Sequence, residues 1–108
     1  PGHSPGSICL LDSQDDLLFT GDAFYPGMMY CHFEDSDFDV YQQSMAYMVG
    51  LLPEVSHLCP AHNEAYVPKE VLQRVQEAFQ QIVDGREPDG YEEGDRVFCF
   101  EGFGVELP

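Results

Sequence analysis

Three short stretches hold the residue types that binding and catalysis most often use: "PGHSPGS" with His3, "LLFTGD" with Asp22, and "CPAHN" with His62. Each residue lies beside an apolar, strand-like run, in a loop marked by Gly or Pro, where sheet proteins place ligands and catalytic groups. An imidazole titrates near neutrality and binds either a proton or a metal, while a carboxylate accepts hydrogen bonds or cations. Taken singly, each signal is weak. A histidine near a turn is more often structural, and Gly-Asp after a strand is more often an ordinary turn.

The elements that must position these residues follow from hydrophobic periodicity. Residues 7–12, "SICLLD", and 17–21, "LLFTG", are apolar runs split by the polar turn "SQDD", which predicts an antiparallel hairpin ending at Asp22. From Gly21 to Asp37 runs a long aromatic loop, "GDAFYPGMMYCHFEDSD", of the kind that borders binding sites. Phe38, Tyr41, Met45, Met48, Val49 and Leu52 then recur at spacings of three and four, an amphipathic helix with Ser36 or Asp37 as N-cap and Pro53 as its stop. "EVSHLCPAHN" reads as a short strand breaking at Pro60 into the loop that carries His62. Pro68 stands where a first helical residue should, and Val71, Val75, Phe79 and Ile82 predict a second helix ended by Gly85. "REPDGYEEGD" reads as a polar connector, and "RVFCF", "EGFG" and "VEL" as a closing hairpin. The order of two strands, helix, strand, helix and two strands predicts an α+β fold, a mixed sheet with helices on one face.

Composition narrows the function classes. The 108 residues are 44% hydrophobic, enough for one small domain or half of a larger one. Twenty acidic residues against four basic ones give a net charge of −16. Such a surface repels a phosphate backbone, so nucleic acid is excluded as a partner, and the charge reads as a solvated acidic face. The four cysteines form no C-x-x-C pair, which rules out a zinc ribbon and a thioredoxin-like motif. They are expected to be mostly reduced, buried thiols, Cys9 and Cys99 within apolar strands, in a cytoplasmic protein. No apolar stretch reaches membrane-spanning length, so no membrane partner is expected.

In order along the chain, the motifs of His3, Asp22 and His62 resemble the third, fourth and fifth metal-binding motifs of the metallo-β-lactamase-fold hydrolase superfamily. The spacing agrees: 22 − 3 = 19 residues hold a strand, turn and strand, and 62 − 22 = 40 hold a loop, helix and strand. The terminal helix and strand pair of that superfamily also resemble residues 68–107. The resemblance implies that residues 1–108 are the carboxy-terminal half of an αββα sandwich. The superfamily's first half, with its H-x-H-x-D-H motif, is absent, so an amino-terminal half or partner chain is expected to complete the domain. Left alone, the chain would be inactive, with an uncovered sheet face that favours a homo-oligomer.

The same resemblance implies two divalent metal ions, zinc in the first instance, with iron or manganese as alternatives. His3 would complete a three-histidine site, Asp22 would bridge both ions as the central catalytic ligand, and His62 would belong to the second site. Two imidazoles and a carboxylate suit a borderline ion, and metal-activated water would attack an ester, thioester or lactone carbonyl of a small acyl substrate. Ser4 is a candidate hydrogen-bonding group behind His3. Tyr25, Tyr30, Phe33 and His32 are candidates to border the substrate, although the aromatics could equally pack the loop onto the first helix. His57, in a strand, is expected to be packed or hydrogen-bonded. Nucleic-acid-processing members are disfavoured, because one large group inserts a whole domain where only 40 residues separate Asp22 from His62. Iron-dependent redox chemistry and a non-catalytic binding module remain as alternatives.

Overall fold

A computed structural model describes all 108 residues. In chain order its elements are β1 (Leu10–Asp12), β2 (Leu17–Gly21), β3 (Met28–Tyr30), α1 (Phe38–Gly50), β4 (His57–Pro60), β5 (Val67–Pro68), α2 (Val71–Val83), β6 (Gly90–Glu92), β7 (Asp95–Phe100) and β8 (Phe103–Leu107). The expected α+β order is present, with three short strands added in segments that read as loops: β3, β5 and β6. The strands divide into two mixed sheets, ordered β1-β2-β4-β5 and β3-β8-β7-β6.

Local chemistry accounts for the element ends. In the β1–β2 turn, Asp12 Oδ1 accepts from the backbone N–H groups of Gln14 and Asp15 at 3.0 and 3.2 Å, replacing missing ladder bonds. Asp37 caps α1, its Oδ1 accepting from Val40 N at 3.0 Å. Tyr41, Met45 and Met48 are the buried stripe of that helix, which ends before Pro53 in a 3₁₀ turn over Leu52–Glu54. The second helix begins three residues later than its proline suggested. Pro68 stays extended and lies opposite His57 at the edge of the sheet, so the strand pairing takes the residue that the helix would have used.

In α2, Leu72, Val75, Ala78, Phe79 and Ile82 are buried, and the Phe79 ring meets those of Phe38 and Tyr41 edge-on, each at 5.1 Å between centroids. One core joins both helices to both sheets, with Leu18 and Leu58 from the first sheet and Phe98, Val105 and Leu107 from the second. All five residues of β8 are buried, because it runs inside its sheet between β3 and β7 and is covered on both faces. By contrast, β1 leaves apolar side chains in solvent. Leu10 is 61% exposed and Ile8, just before the strand, 72%; Ile8, Leu11 and Tyr47 border a groove of about 620 Å³.

All four cysteines are free. Cys31 is buried and burial pushes its thiol up to about 11, but Cys99 is exposed rather than buried, because Phe98 takes the inward position of the alternating strand β7. No helix is long and apolar enough to cross a membrane.

Candidate metal centre

Asp22 and His62 meet because β2 and β4 are parallel neighbours. Parallel pairing puts both carboxyl ends at the same sheet edge, and the residues that follow them emerge side by side. Asp22 leaves β2 through Gly21, whose φ of 55° turns the chain sharply in a region that disfavours a side chain. His62 leaves β4 through Pro60 and Ala61. Its Nε2 lies 2.7 Å from Asp22 Oδ1.

His3 approaches from the other side. Its loop passes so close to α1 that a Cβ on Gly2 would lie 2.4 Å from the Cα of Tyr41, and Gly2 itself has a φ of 129°. Only glycine admits that crossing without displacement. The loop is fastened by Asp37 N donating to Gly2 O at 2.8 Å and by Ser36 Oγ donating to His3 O at 2.6 Å. The ring is oriented by its own contact, with Nδ1 2.7 Å from the carbonyl oxygen of Tyr30. A carbonyl only accepts, so Nδ1 carries the proton and Nε2 presents its lone pair. That Nε2 lies 4.0 Å from Asp22 Oδ2, the oxygen that His62 does not use. The edge of the Phe33 ring closes on the His3 ring at 5.5 Å.

The three residues predicted from sequence thus line one cavity of about 470 Å³, together with Tyr25, Met28, Tyr30 and Asn63. Tyr25 donates its hydroxyl to Met28 O and meets the His62 ring edge-on at 4.9 Å. Its phenol is raised above the ordinary value, first by burial and then by Tyr30 and Asp22, so it stays neutral. The buried Tyr41 hydroxyl donates to Ala23 O at 2.5 Å and holds the chain that follows Asp22.

Several expectations need correction. Ser4 does not support His3; its hydroxyl bonds Ser7 Oγ at 2.7 Å, and the support comes from Tyr30 O and Ser36 instead. His32 does not face the cavity. Its Nδ1 instead lies 2.7 Å from Glu106 Oε1 and 3.2 Å from Asp95 Oδ2. Phe33 borders His3 but does not line the cavity, and Phe24 and Met29 of the same loop are core residues. His57 stacks on Tyr66 at 4.2 Å, with Nδ1 buried and unpartnered. Asn63 in the cavity wall was not foreseen from sequence, nor were Asp95 and Glu106. Asn63 carried a local signal, since Asn tolerates the left-handed turn it makes at φ 71°.

A family model described as the metallo-beta-lactamase superfamily matches residues 1–62, which span all three motifs. The chain belongs to the metallo-beta-lactamase superfamily. It is also 38% identical, over 64 residues, to "Acyl-coenzyme A thioesterase MBLAC2" of Gallus gallus; the match covers 57% of this chain and 23% of that relative's length. The superfamily includes hydrolases and usually binds metal ions. The donor set here fits such ions: two imidazole nitrogens and two oxygens of one carboxylate share a cavity, and the His3 tautomer leaves Nε2 open for ligation.

Proposed function

We propose that the protein is a metal-dependent hydrolase of an ester, thioester or lactone carbonyl, residues 1–108 forming the carboxy-terminal half of the domain, with the H-x-H-x-D-H half supplied by a further segment or partner chain. The observation that carries this reading is the placement of Asp22, which turns one oxygen to His62 and the other to His3. A carboxylate so placed suits two neighbouring cations. His3, Asp22 and His62 would hold the ions, which when bound supply Lewis acidity and a water of lowered pKa, near 7 for zinc.

The rest falls to the chain's own side chains. Tyr30 O fixes the His3 ring and its proton, so that Nε2 stays a donor atom without a rotamer search. Gly2 and Gly21 bring the backbone close enough for both histidines to reach Asp22. Tyr25 and Tyr30 give the cavity aromatic walls, and Met28 adds a flexible apolar one that suits an acyl chain. The likeness to a protein named as an acyl-coenzyme A thioesterase supports an acyl thioester as the substrate class.

The test is a substrate panel on the metal-loaded protein completed by its amino-terminal half: acyl thioesters, lactones, aryl esters and phosphodiesters. Turnover of thioesters, rising with acyl length to a limit and lost with Asp22→Ala, is expected. Preference for phosphodiesters, or activity that survives in metal-free Asp22→Ala protein, would overturn the reading.

A further inference from the structure

A second grouping of histidine and carboxylates lies outside the cavity. His32 follows β3, Asp95 opens β7 and Glu106 sits near the end of β8, so three segments of one sheet bring them together. Their nearest donor atoms all lie within 4.8 Å of one another. We propose that these three residues form a binding site for a divalent transition-metal ion of the zinc class, distinct from the His3/Asp22/His62 cavity and independent of the hydrolase reading.

Burial and the convergence of two carboxylates favour a cation here. Glu106 belongs to a strand buried on both faces, with apolar or Gly residues at every other position, and only 7% of its side chain is exposed. A carboxylate so placed is costly unless it is paired or bound to metal. Neither Glu106 nor Asp95 has a Lys or Arg within 4.0 Å; the nearby Arg96 instead donates Nε to Pro108 O at 2.8 Å. Both carboxylates converge on the single Nδ1 of His32. One N–H serves one of them, Glu106, and Glu106 Oε2 accepts no hydrogen bond from the chain.

The donor chemistry fits the ion. One imidazole nitrogen and two carboxylate oxygens are a three-ligand zinc set with a position left for water, and ligands in a tetrahedral zinc site stand about 3.3 Å apart. The existing separations to Nδ1, 2.7 and 3.2 Å, require small side-chain adjustments and no change of backbone. The consequence for the cavity is mechanical. Tyr30, whose carbonyl orients His3, lies two residues before His32 and opposite Glu106 in the β3–β8 pairing. An ion at this site fixes the strand on which the His3 tautomer depends.

Zinc titration by calorimetry, with thermal denaturation alongside, tests this in His3→Ala/Asp22→Ala/His62→Ala protein, where all three cavity ligands of this chain are removed. Saturation near one equivalent, a rise in melting temperature with zinc and movement of the His32 imidazole resonances are expected. Adding Asp95→Asn, a shape-conserving change at a partly exposed position, or His32→Ala should weaken zinc binding at least tenfold. If His32→Ala fails to fold, the Asp95→Asn protein decides. No binding in the disabled background, or binding unaltered by Asp95→Asn, overturns the proposal.

Discussion

Two histidine–carboxylate pairs in this protein share a 2.7 Å separation and almost nothing else. In the cavity, the side chains of Asp22 and His62 are 46% and 57% exposed; where β3, β7 and β8 meet, those of Glu106 and His32 are 7% and 20% exposed. Water screens the first pair, so it contributes little to stability and is free to exchange its partner for a metal or substrate. The second pair is shielded, so breaking it leaves a buried charge or a void. Identical chemistry serves binding at one depth and architecture at another. The cavity pair hangs on loops beyond strand ends, whereas Glu106 is fixed within a covered strand by its ladder bonds.

The largest expected effect breaks the cavity alone. Asp22→Ala should lower kcat/KM for the hydrolysed substrate by more than roughly 100-fold, since even partners behind metal ligands cost 10–100-fold when removed. Its unfolding free energy should stay within about 0.5 kcal/mol of the parent, as for other exposed substitutions. Equal losses in activity and stability would erase the contrast.

Glu106→Ala tests the opposite pole. Chemical denaturation should show a loss of roughly 2 kcal/mol, from the lost hydrogen bond of the Glu106 carboxylate to His32. A change of less than about 0.5 kcal/mol would place this pair with ordinary surface contacts. Gly2→Ala lies between the poles, because it is a packing fault that displaces a cavity ligand. A loss of about 2 kcal/mol from overpacking against Tyr41 should accompany weaker metal binding, measured on the same samples.

His57 sharpens the comparison from outside both groups. Its unpartnered Nδ1 is a buried polar atom, so His57→Phe, which keeps the stack on Tyr66, should raise stability by about 1 kcal/mol. A fall in melting temperature would mean that the imidazole has a role its surroundings do not reveal.

The smallest effect is a pH limb. Burial pushes the Cys31 thiol from 9.0 to about 11, with Asp37 adding to the rise, so above pH 9 the unfolded chain releases a proton that the folded one keeps. Stability should therefore fall between pH 9 and 11, and the buried Tyr41 phenol, raised well above its ordinary value, steepens the loss at higher pH. Cys31→Ala should flatten the lower part of this limb; an unchanged profile would assign it to the tyrosines alone.

Much of the fold was legible because its signals are local. The α1 stripe of Tyr41, Met45 and Met48 and the Asp37 cap lie within one helix's reach, and short apolar, β-forming runs marked β2 and β7. The missed strands β3, β5 and β6 are two or three residues long and exist through their partners; Met28–Tyr30 has no period to read and is ordered by pairing with β8. The late start of α2 has the same cause, a sheet contact overriding a sound proline signal. In the site, His3, Asp22 and His62 stood out through their Gly and Pro neighbours, but Ser4 was misassigned, because a hydroxyl's partner depends on rotamers that sequence does not carry.

By itself, the sequence determined the order of the two helices and of β1, β2, β4, β7 and β8, the acidic surface and the three motif residues, since each follows from composition or from a pattern a few residues wide. The tertiary structure decided which partners those residues meet. Parallel pairing of β2 with β4 set Asp22 beside His62, and pairing of β3 with β8 brought His32 to Glu106, 74 residues away. A glutamate in "GVELP" would ordinarily point to water. It is buried because β8 lies between two other strands and is covered on both faces, a fact of long-range packing that no short window of sequence contains.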